Sequence, residues 1–143
     1  MIDVYAAANS FSDPRQLARD LAQTLMTIEG VPDIPMFRQN TAAFIHPLPE
    51  DAISNVEGES ACVRVQVLTN AGALDRDKQL AVVTQFTELI GAAATEAAAS
   101  RHVWVLLTEA LDGGWGLNGH AHTNAELVQA ARSQIAELSG KGN

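Results

Sequence analysis

Two stretches of this chain open and close in the same way, and that repeat narrows the folds available to it. The first runs from the strand-like Ile2-Asp3-Val4-Tyr5 through a helical stretch to Ala42-Ala43-Phe44-Ile45-His46. The second runs from Val63-Arg64-Val65-Gln66-Val67-Leu68 through another helical stretch to His102-Val103-Trp104-Val105-Leu106-Leu107. In both, the two strand candidates start about 40 residues apart, the span of a strand, a crossover helix and a parallel strand. Two such βαβ units in tandem predict a pseudo-symmetric α/β (α+β) domain. Parallel crossovers are right-handed, so both helices fall on one face of a four-stranded sheet. The other face then lacks a cover, and a closed ring of subunits is the simplest source of one.

At 143 residues the chain is expected to be a single domain. Residues 1–47 form the first unit, 62–110 the second, and 111–143 a glycine-rich loop with a last helix. A net charge of −8 argues against nucleic acid, since phosphate neutralisation needs clustered Lys and Arg. Cys62 is alone and reads as a small buried hydrophobe. With no apolar leader and no membrane-length apolar run, the expected location is the cytoplasm, away from membranes.

Local signals place the elements. Ser12 or Asp13 can cap a first helix, with Pro14 in its opening turn and Leu17, Leu21, Leu25 and Ile28 at helical spacing. Gly30 ends it, and Pro32 and Pro35 oppose its continuation. Thr41 to His46 reads as the second strand, and Pro47 to Ser60 as a polar linker. Asp75 can cap a second helix with Leu80, Val83, Phe86, Leu89 and Ile90 on its apolar face. The very apolar Val103–Leu107 strand is expected in the sheet centre or at a subunit contact. Asp112 to Gly119 reads as a loop, and Thr123 or Asn124 as the cap of a last helix carrying Leu127, Val128, Ala131 and Ile135.

The second unit also carries a signature. Strand 63–69 is followed by Ala73 to Gln79 opening a helix, then His102-Val103-Trp104-Val105, then Glu109 and Gly114-Trp115-Gly116-Leu117-Asn118-Gly119. This resembles the tautomerase superfamily, which includes 4-oxalocrotonate tautomerase, malonate semialdehyde decarboxylase and macrophage migration inhibitory factor. The length and doubled unit resemble its fused members, over residues 1–120. The resemblance implies a homotrimer, no cofactor, and proton transfer at carbon in a small keto or enol acid, or a related decarboxylation or hydration. It also implies an amino-terminal proline as base and nearby arginines as carboxylate clamp. Here the chain begins Met1-Ile2, and the turn Asn70-Ala71-Gly72-Ala73 holds no arginine. Met1 is expected to be retained before bulky Ile2, its primary amine then a weaker base; an upstream start supplying a proline is the other possibility. The alternative function is a non-catalytic oligomer of the same fold, serving in binding or structure.

The candidate catalytic residues are accordingly Met1 and His46. His46 can act in acid–base chemistry, although a surface or structural histidine is the commoner case. Candidate substrate-binding residues are Tyr5, Arg38, Arg64 and Trp115. Each has a plainer reading: an interface aromatic for Tyr5, a solvated cation for Arg38, an interface ion pair for Arg64, a subunit anchor for Trp115. His120-Ala121-His122 has strand spacing for two ligands, but no third donor stands at a diagnostic distance in sequence, so no metal is expected.

Overall fold

The computed structural model describes residues 1–95 and 102–142. Residues 96–101, with the end of the alanine-rich run to Ser100, and the last residue, Asn143, lie outside them. The sheet is mixed and four-stranded: β1 (Ile2–Ala7), β2 (Ala43–Leu48), β3 (Cys62–Asn70) and β4 (His102–Ala110), in the order β2-β1-β3-β4. β1 and β2 are parallel, as are β3 and β4, and the two units join through antiparallel β1 and β3. The doubled βαβ architecture is therefore present, with its junction at the sheet centre.

Strand alternation decides the faces. Ile2, Val4, Val65 and Val67 have no exposed surface and point to the helices. Asp3, Tyr5, Arg64 and Gln66 point the other way. Helices α1 (Pro14–Glu29) and α3 (Arg76–Ala93) cover the apolar face. Asp13 caps α1 by accepting from the Gln16 N–H, and Gly30 ends it in the left-handed conformation at φ 73°. Asp75 caps α3 through the Lys78 N–H.

Several elements differ from the sequence expectation, each for a physical reason. β4 is an edge strand, so its hydrophobicity does not mark the sheet centre. Val103, Val105 and Leu107 pack on the core while Trp104 and Leu106 stand exposed on the open face. β2 runs on through Pro47 to Leu48, which an edge strand tolerates because its outer donors need no partner. On α3 the buried stripe is Val82, Phe86 and Ile90, a strict i, i+4 row, and Leu80 and Val83 are exposed. Pro35 does not merely end a helix; it opens the short α2 (Pro35–Asn40), which carries Arg38. The glycine-rich stretch is a hairpin of β5 (Trp115–Leu117) and β6 (His120–His122). Its two-residue Asn118-Gly119 turn has φ of 51° and 82°, the positive pair that such a connection needs. Helix α4 (Asn124–Gly140) follows, capped by Thr123; Leu127 and Ala131 are buried, and Val128 and Ile135 are exposed.

Candidate functional site

The amino terminus is fixed by the sheet. The Met1 amine donates to the Leu68 carbonyl at 2.8 Å, and the Leu68 N–H donates to the Met1 carbonyl at 2.9 Å. These bonds extend the β1–β3 ladder by one residue and hold Met1 in the lining of a cavity of about 170 Å³. Leu25 and Glu29 of α1, Phe37 and Asn40 of α2, Thr69 and Asn70 of β3, Trp115 and Leu117 of β5, and Leu127 of α4 share its lining. A second hollow of about 270 Å³ shares Met1, Asn40, Leu68, Trp115 and Leu117 and adds Gln39 and Gly114. Met1 thus stands between two concavities walled by the hairpin.

Side-chain bonds hold those walls. The Met36 N–H donates to Gln134 Oε1 at 2.8 Å, tying α2 to α4. Asn124 Nδ2 donates to the Ala71 carbonyl at 3.0 Å, tying α4 to the turn after β3. The Gly72 N–H donates to Glu109 Oε1 at 3.0 Å, so Glu109 of the sequence signature braces that turn.

Burial dominates the electrostatics here. Desolvation lowers the Met1 amine below its ordinary value of 8.0, against the pull of Glu29 and then Asp3 in the other direction. Burial raises the Glu29 carboxyl above its ordinary 4.5, with the amine and Lys78 opposing. Each shift favours the neutral form of its group over the charged one. A neutral amine keeps its lone pair for a proton.

The candidates from sequence separate into three places. Met1 and Trp115 come together at the cavity. Tyr5, His46 and Arg64 come together on the open face of the sheet, four residues along β1 from Met1, roughly 13 Å. There His46 Nε2 lies 2.7 Å from Asp3 Oδ1, and Arg64 sits over the Tyr5 ring at 5.5 Å. A hollow of about 380 Å³ bordered by Tyr5, Cys62, Arg64 and Trp104 opens beside them. The Cys62 thiol is buried, and burial together with Glu59 pushes it above its ordinary value, away from thiolate reactivity. Arg38 joins neither group: its Nη1 is 2.8 Å from Asp33 Oδ1 and 2.9 Å from the Asp33 carbonyl. No arginine lines the cavity among the described residues.

Two residues escaped the sequence reading. Glu29 is the last residue of α1, where the helix macrodipole disfavours a carboxylate, and that placement was the available signal. Glu126 is the third donor beside His120 and His122; its ligand oxygen and their ring nitrogens lie within 4.8 Å of one another. It comes near them because a single residue, Thr123, separates strand β6 from helix α4.

No protein-family model matches the chain, and no curated protein sequence does. Solved structures match it over nearly its full length. A member of the cis-3-chloroacrylic acid dehalogenase family is 20% identical, with 97% of this chain and 98% of that one covered, at a TM-score of 0.69. A wild-type fused 4-OT asymmetric trimer is 19% identical, with 88% and 97% covered, at 0.67. A malonate semialdehyde decarboxylase inhibited by 3-bromopropiolate is 17% identical, with 85% and 92% covered, at 0.58. The chain has the tautomerase-superfamily fold that its residues resemble.

Proposed function

We propose that this protein is a slow tautomerase, moving a proton at the carbon beside the carbonyl of a small keto or enol acid, with the Met1 amine as base. The observation that carries this reading is the desolvated amine held by Leu68, on a residue that lines a cavity. The neutral amine takes the proton from carbon, and the C–H electron pair moves to form an enolate. The Glu29 carboxylate in the same lining stabilises the ammonium that forms. The resulting ammonium returns its proton to the conjugated carbon or oxygen, and the base is restored. Trp115 walls the cavity and limits the poses the substrate can take.

The slowness follows from the same lining. Arg binds a carboxylate through two parallel hydrogen bonds, and the described lining has none to offer. Arg64 is committed to the open face and Arg38 to Asp33. A primary amine that donates to the Leu68 carbonyl also lacks the ring that sets a proline nitrogen, and a misplacement of about 1 Å costs on the order of a hundredfold. The arginine-free lining favours a second reading, a non-catalytic oligomer of the same fold. The assembly we propose in either case is a homotrimer, supported by the uncovered sheet face and by the trimeric fused 4-OT structures that share the fold.

The test starts from intact mass, which fixes the first residue. Enolisation of a phenylpyruvate-type keto acid is then compared between the Met1 protein, the same protein with its amine acetylated, and a version beginning with proline. The reading expects measurable turnover that acetylation abolishes, and a gain on the order of a hundredfold in the proline form. Turnover that survives acetylation but fails in His46→Ala moves the base to the open face. No turnover in any form leaves the non-catalytic reading.

A further inference from the structure

The β5–β6 hairpin reaches helix α4 through a single residue, Thr123, and this short connection gathers three donors. His120 and His122 alternate on β6, so both imidazoles project from one side of the strand. Their rings meet edge to face, with centroids 4.6 Å apart and 72° between planes. Glu126, in the first turn of α4, comes up against them, with its Oε2 3.2 Å from His120 Nε2. The carboxylate is not loose. The Thr123 N–H donates to its Oε2 at 2.7 Å, and the Glu126 N–H donates in return to Thr123 Oγ1 at 3.1 Å. The hairpin register, His120 opposite Leu117 and His122 opposite Trp115, holds the imidazoles in turn.

We propose that His120, His122 and Glu126 form a binding site for one divalent transition-metal ion, zinc first, distinct from the cavity at Met1. Two imidazole nitrogens and one carboxylate oxygen suit zinc and its neighbours, whereas magnesium and calcium prefer oxygen alone. Ligand atoms about 2.0–2.1 Å from a tetrahedral ion stand roughly 3.3 Å apart. His120 Nε2 and Glu126 Oε2 already have that separation at 3.2 Å. The three donor atoms lie within 4.8 Å, so a side-chain rotation closes the site without backbone movement. The capping bond from Thr123 is the outer-shell contact that orients the carboxylate. The His120 side chain is 61% exposed and that of Glu126 47%, which leaves an entry path and a coordination position for water. Bound there, the ion staples the hairpin to α4 and fixes the strand carrying Trp115, a wall of the Met1 cavity.

The test uses the full chain without a histidine tag, stripped with chelator. Cobalt(II) is titrated against visible absorption, and zinc by calorimetry and by displacement of the cobalt. The proposal expects one equivalent of cobalt with tetrahedral d–d bands, displaced by zinc. His120→Asn and His122→Asn each weaken binding by more than about tenfold, and the double variant abolishes the bands. Glu126→Gln keeps an acceptor for the Thr123 N–H, so it separates the ligand role from the cap: metal affinity falls while the melting temperature without metal is held. Absence of binding at millimolar zinc, or one equivalent bound with unchanged affinity in the folded double-histidine variant, overturns the proposal.

Discussion

The rings of Tyr5 and His46 lie flat against each other, with centroids 4.4 Å apart and 11° between planes. They begin a row that crosses all four strands. His46, Tyr5, Arg64 and Trp104 are successive register partners on β2, β1, β3 and β4. Asp3 fixes the His46 ring from the next row of the same face. The open side of the sheet is thus an ordered polar and aromatic surface, and its contacts run across the strands.

Cross-strand aromatic pairs of this kind contribute about 0.5–1 kcal/mol beyond their neighbours. A double-mutant cycle of Tyr5→Ala and His46→Ala, read by urea unfolding, is expected to give a coupling energy of that size. Strict additivity would show that the stack is geometric and carries no stability.

The amino-terminal pair makes stability depend on pH in two opposite ways. The Met1 amine titrates below 8.0 in the folded chain, so between its folded value and 8.0 the unfolded chain holds more protons. Stability therefore rises with pH across that window. Glu29 titrates above 4.5 when folded, so from 4.5 up to its folded value the folded chain holds more protons, and stability falls as pH rises. Urea midpoints measured from acid to pH 8 should show the fall first and the rise later. Glu29→Gln should erase the fall and move the rise to lower pH, because Glu29 holds the amine up. An unchanged acid limb in that variant would refute the burial of Glu29 as its cause.

Among the described residues, the fully buried aromatic ring of the core is that of Phe86. Phe86 on α3 has no exposed surface and belongs to the cluster with Leu21, Val65 and Ile90. Phe86→Ala is expected to cost about 3–5 kcal/mol, measured as a shift in urea midpoint at constant slope. A loss below about 1 kcal/mol would mean that the helix layer collapses to fill the space.

Much of the fold could be read from sequence because the relevant signals are local. Asp13, Asp75 and Thr123 are caps whose side chains bond within their own turn, and Gly30 needs its positive φ. Strand order could not be read so directly: the apolar β4 sits at an edge, and hydrophobicity alone does not say which strands are central. Of the candidate site, Met1 and Trp115 were legible through a family signature. Glu29 and Glu126 were not, since each joins its partners across elements and has no characteristic spacing to them in the chain. The register that sets His46 beside Tyr5 on the open face was likewise not legible in the sequence.

The open face also predicts the assembly. Phe44 is 50% exposed there, and Trp104 and Leu106 are each 43% exposed. Three large apolar side chains on one sheet face are a surface that association would remove from water. The trimer we propose buries them, so a charge among them is strongly disfavoured in the assembled state. Light scattering at micromolar concentration is expected to give three chains for the native protein and one for Trp104→Glu. Val83→Glu is the control, since Val83 is 39% exposed on α3, away from that face. It should leave the mass at three chains. A native monomer would sink the trimer, and equal dissociation by both variants would show that added charge alone, and not the position of Trp104, breaks the assembly.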